Sequence, residues 1–64
     1  MLKSWYEVRL VDSRNIEYVH MFATLADAMD YAFRRLRMYL STSVYFIDRH
    51  KARHYLGHIR NELF

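Results

Sequence analysis

A chain of 64 residues with net charge +3 makes one domain, residues 1–64, near the lower size limit of independent folding, where only about 60% of the unfolded surface can be buried. It has no cysteine, which excludes a disulfide framework and a thiolate metal site. Its 53% apolar and 17% aromatic content argues against disorder, because large aromatic side chains let a small core suffice.

In chain order, "WYEVRLV" and "IEYVHMF" both alternate and flank the turn-rich "DSRN", the pattern of a β-hairpin. A four-residue loop over 12–15 sets residues whose numbers sum to 27 opposite one another. One face then pairs Val8 with Val19 and Tyr6 with Met21. The other pairs Trp5 with Phe22, Glu7 with His20, Arg9 with Tyr18 and Val11 with Ile16, each a favourable cross-strand combination.

"ATLADAMDYAFRRLRMYL" follows. Thr24 is a natural N-cap, with Asp27 three residues on. Leu25, Ala28, Met29, Ala32, Phe33, Leu36 and Leu40 have the spacing of one buried helical stripe. Asp30 and Arg34 form an i, i+4 pair on the outer side, and Arg34, Arg35 and Arg37 stand where the helix dipole favours cations. "STS" at 41–43 reads as the end of the helix.

"SVYFID" is a short third strand. The last segment has two readings. As a helix, Ala52, Tyr55, Leu56, Ile59 and Leu63 form an apolar stripe. Against that stand Gly57, costly in a helix interior, and an internal echo: "LVDSRNIEYV" and "FIDRHKARHYL" share apolar–apolar–Asp, a polar turn, then Tyr and an aliphatic. The echo favours a repeat of the first hairpin. The expected fold is α+β, an antiparallel sheet with one helix on one face in the order ββαββ, with ββαβα as the alternative.

One helix covers one face. The opposite face, expected to carry Trp5, Arg9, Tyr18, His20 and Phe22, is left as a contact surface, for a protein partner or for a second copy of the chain, unless the terminal "ELF" closes it.

Chemistry finds little to work with. His50, His54 and His58 lie at i, i+4, i+8, but no HExxH motif or cysteine accompanies them, so no metal site is expected. Glu7 opposite His20 would be an exposed ion pair and not a base with its orienting partner, since no nucleophile stands beside it. Phosphate-cradling loops need glycines, and Gly57 is the only one. Neither catalysis nor a cofactor is expected.

Charge is unevenly spread. Residues 1–33 carry a net −2 and residues 34–64 a net +5. Arg34, Arg35, Arg37, Arg49, Lys51, Arg53 and Arg60 form a candidate basic patch, able to steer an acidic partner or to meet phosphates while Tyr45, Tyr55 or Trp5 stack on bases. No base-reading motif is present, so nucleic acid is the secondary expectation. No secretory leader is evident, and no apolar run approaches the roughly 20 residues of a membrane span; the expected location is cytoplasmic.

This cysteine-free hairpin–helix–strand pattern, with "TLADAMDYAFRRL" as its helix, resembles the small phage-encoded proteins that inhibit host machinery, the anti-CRISPR proteins and the inhibitors of host RNA polymerase. The resemblance spans the whole chain as a pattern and carries no diagnostic motif. It implies a stoichiometric, non-enzymatic binder of a host protein, acting in the host cytoplasm through its surface.

Overall fold

A computed structural model describes residues 3–36 and 38–60. Its elements are β1 (Trp5–Val11), β2 (Glu17–Phe22), α1 (Leu25–Arg35), β3 (Ser41–Ile47) and β4 (Arg53–Arg60). The strands form one antiparallel sheet in the order β2-β1-β3-β4, so the chain is α+β. Both β2 and β3 pair with β1 and therefore run parallel to each other. A tight turn cannot join parallel strands, and α1 makes the crossing. The last described segment is a strand, in line with the echo and not with a terminal helix.

The two hairpin turns are the same structure built twice. In the first, Asp12 N–H donates to Ile16 C=O at 3.1 Å and Asn15 N–H to Asp12 C=O at 3.0 Å, while Asp12 Oδ1 accepts from the amides of Arg14 and Ile16 at 2.9 and 3.0 Å. In the second, Asp48 and Lys51 donate likewise to Ala52 and Asp48 at 3.1 and 2.8 Å, and Asp48 Oδ1 accepts from His50 and Ala52 at 2.8 and 3.0 Å. Asn15 and Lys51 take matching left-handed conformations, φ 65° and 64°. Asparagine tolerates this region well; lysine occupies it less readily. Both are three-residue hairpin turns ending in a left-handed residue.

That turn corrects the expected register. The closing pair is Asp12 with Ile16, not Val11 with Ile16, so Tyr6 faces Phe22, Val8 faces His20, Arg9 faces Val19 and Leu10 faces Tyr18. A slip of one residue moves every β2 side chain to the other face. Tyr18, His20 and Phe22 consequently lie on the helix side with Tyr6, Val8 and Leu10. Glu17, Val19 and Met21 share the open face with Trp5, Glu7 and Arg9.

The core is Val8, Leu10 and Val44 from the sheet under Ala28 and Ala32 of α1. Alanines let the helix approach closely, and Tyr6, Tyr18, Phe22, Met29, Tyr31 and Tyr39 pack around the contact. Thr24 caps the helix, its Oγ1 accepting from Asp27 N–H at 3.2 Å. Two helix expectations need correction. The helix stops at Arg35, and Ser41–Ser43 open β3 instead of ending the helix. The buried stripe is also rotated: Phe33 is 57% exposed and Leu25 is exposed, whereas Tyr31 packs against His20 and Phe22 at ring separations of 4.9 and 5.0 Å.

The paired turns carry a pH prediction. Hydrogen bonding, from the Ile16 amide first for Asp12 and from the His54 side chain first for Asp48, holds both carboxyls below their ordinary value of 3.8. A lowered folded pKa stabilises the fold above the ordinary value and is lost as pH falls through the folded one. Acid titration below that value should therefore lower the stability of the parent, a loss that Asp12→Asn and Asp48→Asn flatten. Circular dichroism against pH measures it, and an unchanged acid limb in the double variant would contradict the assignment.

Candidate functional site

Alternation fixes what the open face displays. Across the strands its rows read Met21, Glu7, Tyr45, Tyr55, then Val19, Arg9, Ser43, His58, with Trp5, Ile47 and Arg53 beyond. Met21 is 67% and Tyr55 59% exposed, and Val19 is exposed as well. Among the described residues no element covers this face.

A compact ionic and aromatic cluster organises its centre. Glu7 is only 7% exposed, so its carboxylate must be paired. Arg9 Nε donates to Glu7 Oε1 at 2.7 Å, and Arg53 Nη2 lies 3.6 Å from the same oxygen. Arg9 also reaches Glu17 Oε1 through Nη1 at 3.0 Å. These contacts, the hydrogen bond to Glu7 foremost, raise the Arg9 pKa. Both guanidinium groups lie over the Tyr45 ring, at 5.6 Å for Arg9 and 5.5 Å for Arg53, and Tyr45 meets Tyr55 edge-on at 5.6 Å. Ion pairs and ring contacts thereby hold both guanidinium groups at the centre of the face. Trp5 is partly buried, and its indole N–H has no acceptor among the described residues.

Of the expected contact residues, Trp5 and Arg9 are on this face. Tyr18, His20 and Phe22 are not: Tyr18 bonds Asp12 Oδ2 at 3.2 Å, and the other two pack on Tyr31. Glu7 and His20 stand on opposite faces, so the pair considered from the sequence does not form. From the sequence Tyr45 and Tyr55 stand out only as rings for stacking on bases, and Val19 and Met21 not at all, since only the observed pairing sets these residues beside Arg9.

The candidate basic residues do not form one patch. Arg34 pairs with Asp30 at 3.0 Å and Arg35 lies 4.9 Å over the Tyr31 ring, both in the last turn of α1, toward the Ser41 end of β3. Arg49 and Lys51 sit in the β3–β4 turn at the other end, a strand length of roughly 20 Å away. Arg53 belongs to the open-face cluster. Arg37 lies outside the described residues, as do the side chain of Arg60 and the terminal "ELF".

The histidines separate too. His54 Nε2 meets Asp48 Oδ2 at 2.8 Å on the helix side, His58 Nδ1 meets Ser43 Oγ at 3.0 Å on the open face, and His50 is in the turn. Among the described residues no three potential ligands gather around a common point. A shallow depression beside α1 is lined by Phe22, Asp27, Asp30, Tyr31, Arg34 and Arg35. Its charges balance, and no nucleophile borders it. Among the described residues no helix is long and apolar enough to cross a membrane. No family model, curated protein or solved structure matches the chain.

Proposed function

We propose that the protein is a non-enzymatic binding module that engages a protein partner through the open face of its sheet. The observation that carries this reading is the composition of that face. Exposed Val19, Met21 and Tyr55 surround guanidinium groups already held on Tyr45 and Glu7, an apolar and aromatic surface with arginine at its centre, as in protein contact sites. The resemblance to phage-encoded inhibitors adds a consequence: occupying a host protein stoichiometrically blocks it without chemistry, in the host cytoplasm. The ββαββ order serves this use, because one crossover helix leaves the other face free.

Single-stranded nucleic acid is the second reading, favoured by the Arg9–Tyr45–Arg53 stack beside Tyr55, a platform on which bases can stack. Against it, both arginines are neutralised by Glu7 and Glu17, and the remaining described cations are divided between the two ends of the sheet. A polyanion gains little from charges already paired.

Capture from a bacterial host lysate, with and without nuclease, tests the choice. A discrete protein should be retained after nuclease treatment and lost from a folded Met21→Glu, Tyr55→Glu variant, a penalty of about 2 kcal/mol or more. An Arg49→Ala, Lys51→Ala variant should retain it with slower association. Capture abolished by nuclease transfers the face to nucleic acid. A concentration-dependent dimer that the same Met21 and Tyr55 changes dissociate assigns the face to a second copy.

A further inference from the structure

The helix layer is half filled. α1 lies over β1, between β2 and β3, and among the described residues none of its α-carbons comes within 8 Å of one in β4. Two strand spacings of roughly 4.8 Å separate β4 from β1, which puts β4 about 10 Å from the line of α1. That is the separation at which a second helix packs beside a first.

Both walls of the resulting trough carry apolar side chains, with the His54–Asp48 pair at its turn end. Tyr31 faces β2 through Phe22 and His20, so the other flank of α1, Leu25, Met29 and Phe33 at i, i+4, i+8, faces β4. The sheet wall is Phe46 with His54, whose rings lie 5.9 Å apart, and Leu56, two residues from His54 on the same face. Leu56 is 49% exposed. A bulge sets Leu56 and Gly57 together opposite Val44, and a Cβ on Gly57 would meet nothing within 4 Å.

The repeat within the chain indicates what fits there. Val8 pairs with Val44, its counterpart in the second hairpin, and the β1–β2 register recurs in β3–β4 from Ile47 opposite Arg53 to Tyr45 opposite Tyr55. An approximate twofold axis through the Val8–Val44 pair therefore relates the hairpins. The first is covered by an amphipathic helix that presents two alanines to the sheet; among the described residues the second has none. A strict twofold image of α1 would fall on β3, which α1 already contacts, so the added helix sits further out, over β4. Arg53 and His58 belong to the open face, but Arg49, His50 and Lys51 occupy the β3–β4 turn, so the turn end of the trough is cationic.

We infer that the trough between α1 and β4 receives one amphipathic helix of a partner protein, with small residues toward the sheet and acidic residues toward the β3–β4 turn. The inference does not rest on the open-face reading, since the trough lies on the opposite side of the sheet.

The test is selection, against the full chain, from a displayed library of helices patterned on α1: alanine at the two contact positions, apolar flanks, and Glu, Gln or Lys randomised outside. Glu-rich helices should be enriched. Their affinity should fall by roughly tenfold or more on Phe33→Ala, Leu56→Ala, a variant whose far-UV spectrum and thermal midpoint verify that it is folded. Met21→Glu, on the open face, should leave it unchanged. Four results would overturn the inference: no enrichment over the unselected library, enrichment of Lys-rich helices, binding indifferent to the Phe33 and Leu56 changes, or a parent dimer that those changes dissociate.

Discussion

Leu10→Ala should lower the stability of the chain by about 2–5 kcal/mol, the range for emptying a buried leucine site. Leu10 is fully buried at the contact between β1 and α1, beside Val8, Val44 and Ala32. At roughly 0.05–0.15 kcal/mol per residue, a domain of this size has only about 3–10 kcal/mol to lose, so the variant should give up a large part of its stability. Met21→Ala, on the open face, should stay within about 0.5 kcal/mol of the parent. Urea unfolding of the two variants beside the parent measures both. A Leu10→Ala midpoint equal to the parent's would show that the β1–α1 contact does not hold the fold.

How far the sequence reveals this arrangement depends on which signal is local. The strands of the first hairpin, the N-cap at Thr24 and the repeat of the Asp turn are all written in adjacent residues, and the structure displays each of them. The register is not, because it turns on whether Asp12 is the first residue of the loop or the last paired residue. Both choices give good cross-strand pairs. What decides between them is that Asp12 Oδ1 collects two turn amides while Asn15 takes the left-handed conformation. One residue of difference carries Tyr18, His20 and Phe22 from the open face to the helix side, and with them most of the contact surface that the pattern suggests.

The charge cluster was legible only as composition. Glu7 and Arg9 are two apart on one strand, a spacing that puts them on one face in either register, but Arg53 and Tyr45 reach them from strands 36 or more residues away. The basic count in residues 34–64 likewise suggests one patch, and the sheet divides it, because a strand length separates the end of α1 from the β3–β4 turn. Sequence proximity and charge run together in a list; the crossover that carries the chain past β1 takes them apart.

The orientation of α1 sets a mutational order. The stripe drawn from hydrophobicity, Leu25, Ala28, Met29, Ala32, Phe33, Leu36 and Leu40, holds both alanines that are buried, but it also includes the exposed Leu25 and Phe33 and leaves Tyr31 outside. The helix is instead turned so that its alanines meet the sheet, since only small residues allow the close approach that buries Val8, Leu10 and Val44. Tyr31 then closes the β2 flank against His20 and Phe22, with the Arg35 guanidinium 4.9 Å above its ring. Tyr31→Ala strips an aromatic cluster of its central ring and should cost about 1.5–3 kcal/mol, below the 3–5 of a fully buried aromatic. Phe33→Ala, at a site 57% exposed, should cost less than about 1 kcal/mol. For a domain of this size each kcal/mol moves the thermal midpoint by about 4–8 °C, so the two variants should separate clearly in a melting experiment, with Tyr31→Ala the lower. Equal midpoints, or Phe33→Ala the lower, would mean that α1 is rotated back toward the hydrophobic stripe. That outcome would also remove the apolar flank of the trough beside β4, because a Phe33 buried for stability is not available to a partner.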